Sequence, residues 1–175
     1  DGNIVTSYLH QRDFGYLIEG HGGNGDVTAP LVYVGFTNRN LHGEAFAGLD
    51  LSGKIVMLDH ATAPADFAIE AMVRGAVGVL WVTGNGRDDV RSQIQLADPE
   101  GDYLRNPNIP TFAIRPAVAD ELLAANDLTW ESLRAKSGDG DWFTEELDSH
   151  AQMQLNLTAP QEVAVPNVMG YLPGS

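Results

Sequence analysis

The amino-acid sequence predicts an α/β fold, rich in strand and with a few short helices, on three observations. Residues 51–58, Leu-Ser-Gly-Lys-Ile-Val-Met-Leu, read as a turn feeding a buried strand, because Ser52-Gly53 is a turn pair and 55–58 is unbroken apolar. Phe67, Ala68, Ala71, Met72 and the Gly75-Ala76 pair then recur at helical intervals, before the apolar run Val-Gly-Val-Leu-Trp-Val at 77–82. Strand, helix and strand make a βαβ unit, whose strands are expected to lie parallel beneath the crossover helix. Short β-prone runs also recur on both sides of this unit, while helical periodicity stays confined to brief segments.

Each further element follows from local chemistry. The β-prone runs at 4–9 and 14–18, separated by the polar Gln11-Arg12-Asp13, predict a hairpin or strand pair. The glycine-rich stretch at 20–25 lacks the lysine of a phosphate loop and opens no helix, so it reads as a plain loop. Leu-Val-Tyr-Val at 31–34 is a strand ended by Gly35, and 36–46 shows no clear period. A turn signal at 84–89 opens a long excursion to Asn108, and excursions of that length inside compact domains are often functional. The proline of Ile-Pro-Thr-Phe-Ala-Ile at 109–114 places that strand at a sheet edge or the proline at the strand start. Pro116 marks a helix whose stripe is Val118, Leu122 and Leu123 and which runs to about Asn126; Thr129 caps another turn through Leu133. Residues 137–143 read as a loop. Met153, Leu155 and Leu157 alternate with Gln152, Gln154 and Asn156, the signature of a half-buried strand.

Composition bounds the function. A chain of 175 residues, 43% of them hydrophobic, suits one domain with a real core. Its 24 acidic residues oppose 10 basic ones, and the formal charge of −14 repels phosphate backbones and anionic lipid, so nucleic acid and membrane are not expected partners. No run approaches the roughly 18 apolar residues of a membrane span. Without cysteine there is no disulfide framework, thiolate metal site or cysteine nucleophile. The chain begins at Asp1 and is expected to be a processed form or an excised piece.

Motifs for chemistry are sparse. No two of His10, His21, His42, His60 and His150 lie within ten residues of each other, and neither HExxH nor GxSxG occurs. No catalytic or metal-ligating residue is therefore assigned. His60 is the most suggestive histidine, because it follows the strand at 55–58 and Asp59, at a carboxyl strand end where α/β sites gather; a solvent-facing loop histidine is the simpler reading. Asp59 and Asp66 add carboxylates nearby, and Asp66 also suits the N-cap of the helix beginning at Phe67, while Arg74 suits its carbonyl end. Two alternatives follow: a stand-alone enzyme built around Asp59, His60 and Asp66, or a calcium- or partner-binding module using the aspartates near 139–141.

Taken together, the stretches at 31–34, 51–56 and 71–80 (with its Arg-Gly-Ala-Val-Gly-Val core) and at 109–114 resemble the protease-associated (PA) domain. The terminal Pro-Asn-Val-Met-Gly-Tyr-Leu-Pro-Gly-Ser at 166–175 looks like the first strand of the zinc aminopeptidase and glutamate carboxypeptidase family, peptidase family M28, into which PA domains are inserted. The resemblance implies a swivelling β/β/α architecture, a central sheet or open barrel flanked by a few short helices. It divides the chain into N-terminal strands or a linker at 1–26, a PA-like domain at 27–165 with a loop insert at 138–150, and the start of a peptidase strand at 166–175.

The same resemblance implies a non-catalytic lid or wall over the substrate cleft of a secreted (extracellular or periplasmic) zinc exopeptidase. Its partners are then the peptidase domain of the same polypeptide and a peptide or protein substrate. It holds no cofactor itself, and zinc belongs to the peptidase domain. If 87–108 forms the wall, Arg87, Tyr103 and Arg105 are the expected contacts, with His60 and Asp66 as further candidates. The sequence departs from the family in having Asp-Pro-Glu-Gly-Asp-Tyr-Leu-Arg at 98–105 where glycine and proline are common, and 1–26 and 138–150 match nothing in it.

Overall fold

Every residue of the strand Ile55–Asp59 is buried, and so is every residue of Gly78–Val82, so the sheet that holds them must be covered on both faces. The computed structural model, which describes residues 5–16, 23–64, 66–83, 109–136 and 140–156, shows how. Its strands are β1 (Phe14–Tyr16), β2 (Gly25–Phe36), β3 (Ile55–Asp59), β4 (Gly78–Val82), β5 (Thr111–Ile114) and β6 (Trp142–Leu155). Its α-helices are α1 (Phe67–Val73), α2 (Pro116–Leu123) and α3 (Trp130–Arg134), with short 3-10 turns at Gly43–Phe46 and Ala124–Asn126. The fold is mixed α/β: one six-stranded sheet in the order β1-β5-β4-β3-β2-β6, flanked by a few short helices. Among the described residues it is an open sheet, with β1 and β6 at the edges, and no helix is long and apolar enough to cross a membrane.

β2, β3, β4 and β5 run parallel, while β1 is antiparallel to β5 and β6 antiparallel to β2. The predicted βαβ unit is thus β3-α1-β4. Side-chain alternation sends Val56, Leu58, Val79 and Trp81 to one face, where they meet Phe67, Ala68 and Ala71 of α1 and Phe46 of the first 3-10 turn. Phe36, Phe46 and Phe67 pack edge to face there, with centroids 4.7 to 6.1 Å apart. Ile55, Met57, Leu80 and Phe112 point the other way and meet Val118 and Leu123 of α2 and Trp130 and Leu133 of α3.

The structure corrects several expectations. Residues 5–9 form no strand; Gln11, Arg12 and Asp13 make a turn, and β1 pairs with β5 instead of a hairpin partner. β2 runs from Gly25 to Phe36, so it extends past 31–34 at both ends, and a domain boundary at 26/27 would cut it. Within the expected loop insert at 138–150, residues 142–150 are the first part of β6, paired with β2 as far as Phe36↔Trp142. β5 is internal, with Pro110 just ahead of it, so the proline marks the strand start and not an edge. Arg74 does not serve the carbonyl end of α1 with its side chain, which reaches Gly43 O at 3.2 Å, Glu70 at 3.6 Å and the Phe46 ring. Lys54 precedes β3 and pairs with Glu146 of β6 at 2.6 Å. The glycines at 20–22, the excursion at 84–108 and the terminal stretch at 157–175, with its expected peptidase strand, lie outside the described residues.

β6 is not paired evenly. Pro30 faces His150 and Val32 faces Glu146, so residues 147–149 bulge opposite Leu31 alone. The bulge turns the Asp148 N–H to Asn126 Oδ1 at 3.0 Å, and the Ser149 hydroxyl donates to Leu122 O at 2.5 Å, fastening the edge strand to the end of α2 and the turn after it.

Gly75 ends α1 with φ +86°, and its carbonyl accepts from Gly53 N at 2.9 Å, which locks the helix end to the turn before β3. A Cβ at this position would lie 2.9 Å from both Cα and Oγ of Ser52. Strain and overlap add, so Gly75→Ala is expected to lower stability by about 2 kcal/mol, read as a fall in the urea midpoint at unchanged m-value.

Candidate functional site

An aspartate closes the apolar run of β3 at the carboxyl end of the parallel strands. Asp59 is the one buried charged residue among those described, with its side chain 2% exposed. Such a carboxylate needs full satisfaction. Oδ1 accepts from Ala61 N at 2.8 Å, in a turn where Asp59 O also accepts from Thr62 N and Ala63 N, and Oδ2 accepts from Arg134 Nε at 2.7 Å.

Arg134 reaches Asp59 because α3 is held in place at its start. Thr129 Oγ1 accepts from Ser132 N at 3.1 Å, and Ser132 Oγ accepts from Thr129 N at 2.9 Å, a reciprocal cap. Trp130 N donates to Asp120 Oδ1 at 2.6 Å, tying α3 to α2. One turn on, the Arg134 guanidinium lies 5.9 Å from the centroid of the Trp130 ring. The expected Thr129 cap is thus present, and its consequence is the position of this arginine.

The pair floors a cleft of about 300 Å³ whose walls include Tyr33, Thr62, Glu131 and Phe143. Tyr33 packs edge to face on Trp130 at 5.9 Å and on Phe143 at 5.8 Å. Burial, and secondarily the Asp59 charge, push its phenol up to about 12, against the opposing effect of Arg134. At the rim Lys136 pairs with Glu145 at 2.9 Å.

The residues expected to work together do not share this cleft. Asp59 follows Ile55 and Met57 to the α3 side of the sheet, while His60 is exposed and packs edge to face on Trp81, of the α1 side, at 5.9 Å. Asp66 occupies the N-cap position of α1, but its side chain makes no capping hydrogen bond and is exposed. Among the described residues no three His, Cys, Asp or Glu side chains are grouped to hold a metal. Arg87, Tyr103 and Arg105, and part of the acidic stretch near 139–141, lie outside the described residues. Arg134, Tyr33 and Phe143 went unnoticed in the sequence; the one available signal was a charge ending a run too apolar to be exposed, which demands a cation somewhere in the chain.

No family model matches the chain, and no curated protein matches it. Among solved structures, an aminopeptidase from Aneurinibacillus sp. strain AM-1 matches with 25% identity and a TM-score of 0.41, over 74% of this chain and 29% of that one. The chain spans less than a third of that protein's length.

Two outcomes are expected from this geometry. Arg134→Met strands a buried carboxylate and is expected to cost about 2–4 kcal/mol, whereas adding Asp59→Asn is expected to restore part of the loss, a positive coupling in a double-mutant cycle. The Tyr33 phenol is favoured by the fold over the usual value of 10.0, so its contribution is complete below about pH 10 and is lost as pH rises towards 12. In a tyrosinate absorbance titration, Tyr33→Phe is expected to remove a late-ionising step.

Proposed function

We propose that this chain is a non-catalytic protease-associated domain, the lid or wall of a secreted zinc exopeptidase's substrate cleft, inactive alone. One observation supports the reading above the others: the four stretches that resemble the family fall on β2, on β3 with its lead-in turn, on α1-β4 and on β5, the four neighbouring parallel strands of the sheet. Parallel strands end at one edge. His60 therefore leaves β3 at the same end of the sheet at which Thr83 leaves β4, and this end would face the substrate cleft. On this reading the domain narrows access and offers polar contacts to a peptide, with Arg87, Tyr103 and Arg105 as the anchoring side chains, while the peptidase domain supplies the metal-bound water.

The purified chain is expected to show no turnover of aminoacyl anilides or dipeptides, with or without added zinc. Turnover abolished by His60→Ala would establish the stand-alone enzyme in its place. In the full-length enzyme, Arg105→Ala is expected to raise KM for peptides about tenfold at unchanged kcat, the signature of lost ground-state binding; an unchanged KM removes this residue from the wall.

A further inference from the structure

The cleft above Asp59 contains two charged groups with hydrogen-bonding capacity left unused among the described residues. Arg134, its side chain 34% exposed, gives Nε to Asp59 and lies over the Trp130 ring, and its terminal nitrogens have no partner among the described residues. Glu131, one helical turn earlier on α3, lines the same cleft, and its carboxylate likewise has no partner among the described residues. Tyr33 and Phe143 supply an aromatic wall beside them.

Charge balance decides the sign of the occupant. Among the described residues Asp59 neutralises Arg134 and Glu145 neutralises Lys136, which leaves Glu131 uncompensated there, in a chain of formal charge −14. A carboxylate or phosphate is thus disfavoured despite the arginine. The arrangement suits a neutral acceptor for the guanidinium fork, a flat apolar group for the rings and a cation opposite Glu131.

We propose that this cleft binds a cationic peptide unit: an amide carbonyl accepts from Arg134, an apolar side chain lies against Tyr33 and Phe143, and the positive group faces Glu131. The proposal does not depend on the gating role.

Titration of the isotopically labelled full chain, followed by amide chemical shifts, tests it with three probes: L-phenylalaninamide, N-acetyl-L-phenylalaninamide and N-acetyl-L-phenylalanine. Saturable shifts are expected around Tyr33, Thr62, Arg134 and Phe143, with the cationic amide about threefold tighter than its acetylated form and the acid weakest. Glu131→Gln, at an exposed position, is expected to abolish the preference for the cation and to leave the melting temperature unchanged. Arg134→Lys keeps the charge without the fork and is expected to weaken all amides about tenfold; should it unfold the chain, the probe series and Glu131→Gln decide alone. Absence of saturable shifts with L-phenylalaninamide, shifts scattered away from the cleft, or tightest binding of the acid would each overturn the proposal.

Discussion

The structure depends on the burial of β3 and β4 on both faces. A strand with no exposed residue cannot sit in a two-layer arrangement, so the chain must place helices on each side of the sheet, and its segments are distributed accordingly. α1 and the first 3-10 turn cover one face; α2 and α3 cover the other. β6 joins the two covers. Its Trp142 packs towards the α1 side and donates Nε1 to Ala45 O at 2.9 Å, while the next residue, Phe143, packs towards the α3 side against Tyr33.

The Asp59–Arg134 pair follows from this constraint. Burial continues to the last residue of β3, which is charged, so the covering helix on that face must bring a cation. Neighbours in sequence are then separated in space: a two-residue period sends Asp59 and His60 to opposite sides of the sheet. Proximity along the chain at a strand end therefore does not assemble a site, and the residues that do converge on the cleft come from β2, β3 and the turn after it, α3 and the residues that follow it, and β6.

What the sequence made legible was what local periodicity encodes. The βαβ unit could be read because an apolar run, a helical stripe and a glycine stop follow one another without conflict, and the α3 cap because Thr129, a capping residue type, stands just ahead of the helical turn that ends at Leu133. The extent of β2 was hidden by Pro30 and Gly35, which normally punctuate strands but here sit at a bulge and beneath the Phe143 ring. Residues 142–150 were hidden by Glu145, Glu146 and Asp148, because an edge strand tolerates charges that an internal one does not. The aspartate of the site was visible as a charge after a buried run. Its arginine was not, since 75 positions separate the two and only the packing of α3 brings them together.

The long pairing of β2 with β6 also fixes an order of events. Gly25 is matched with Leu155, so the sheet cannot be completed until nearly all of the described chain is present. Closing so large a loop precedes any reward from the contacts it creates, and pairings of this separation are slow to form. The local β3-α1-β4 unit has no such delay. Until β6 arrives, the Tyr33 side of β2 lacks Phe143 and its neighbours, and the β2 edge stands open to other strands, which makes the interval before closure the time when this protein is most exposed to aggregation.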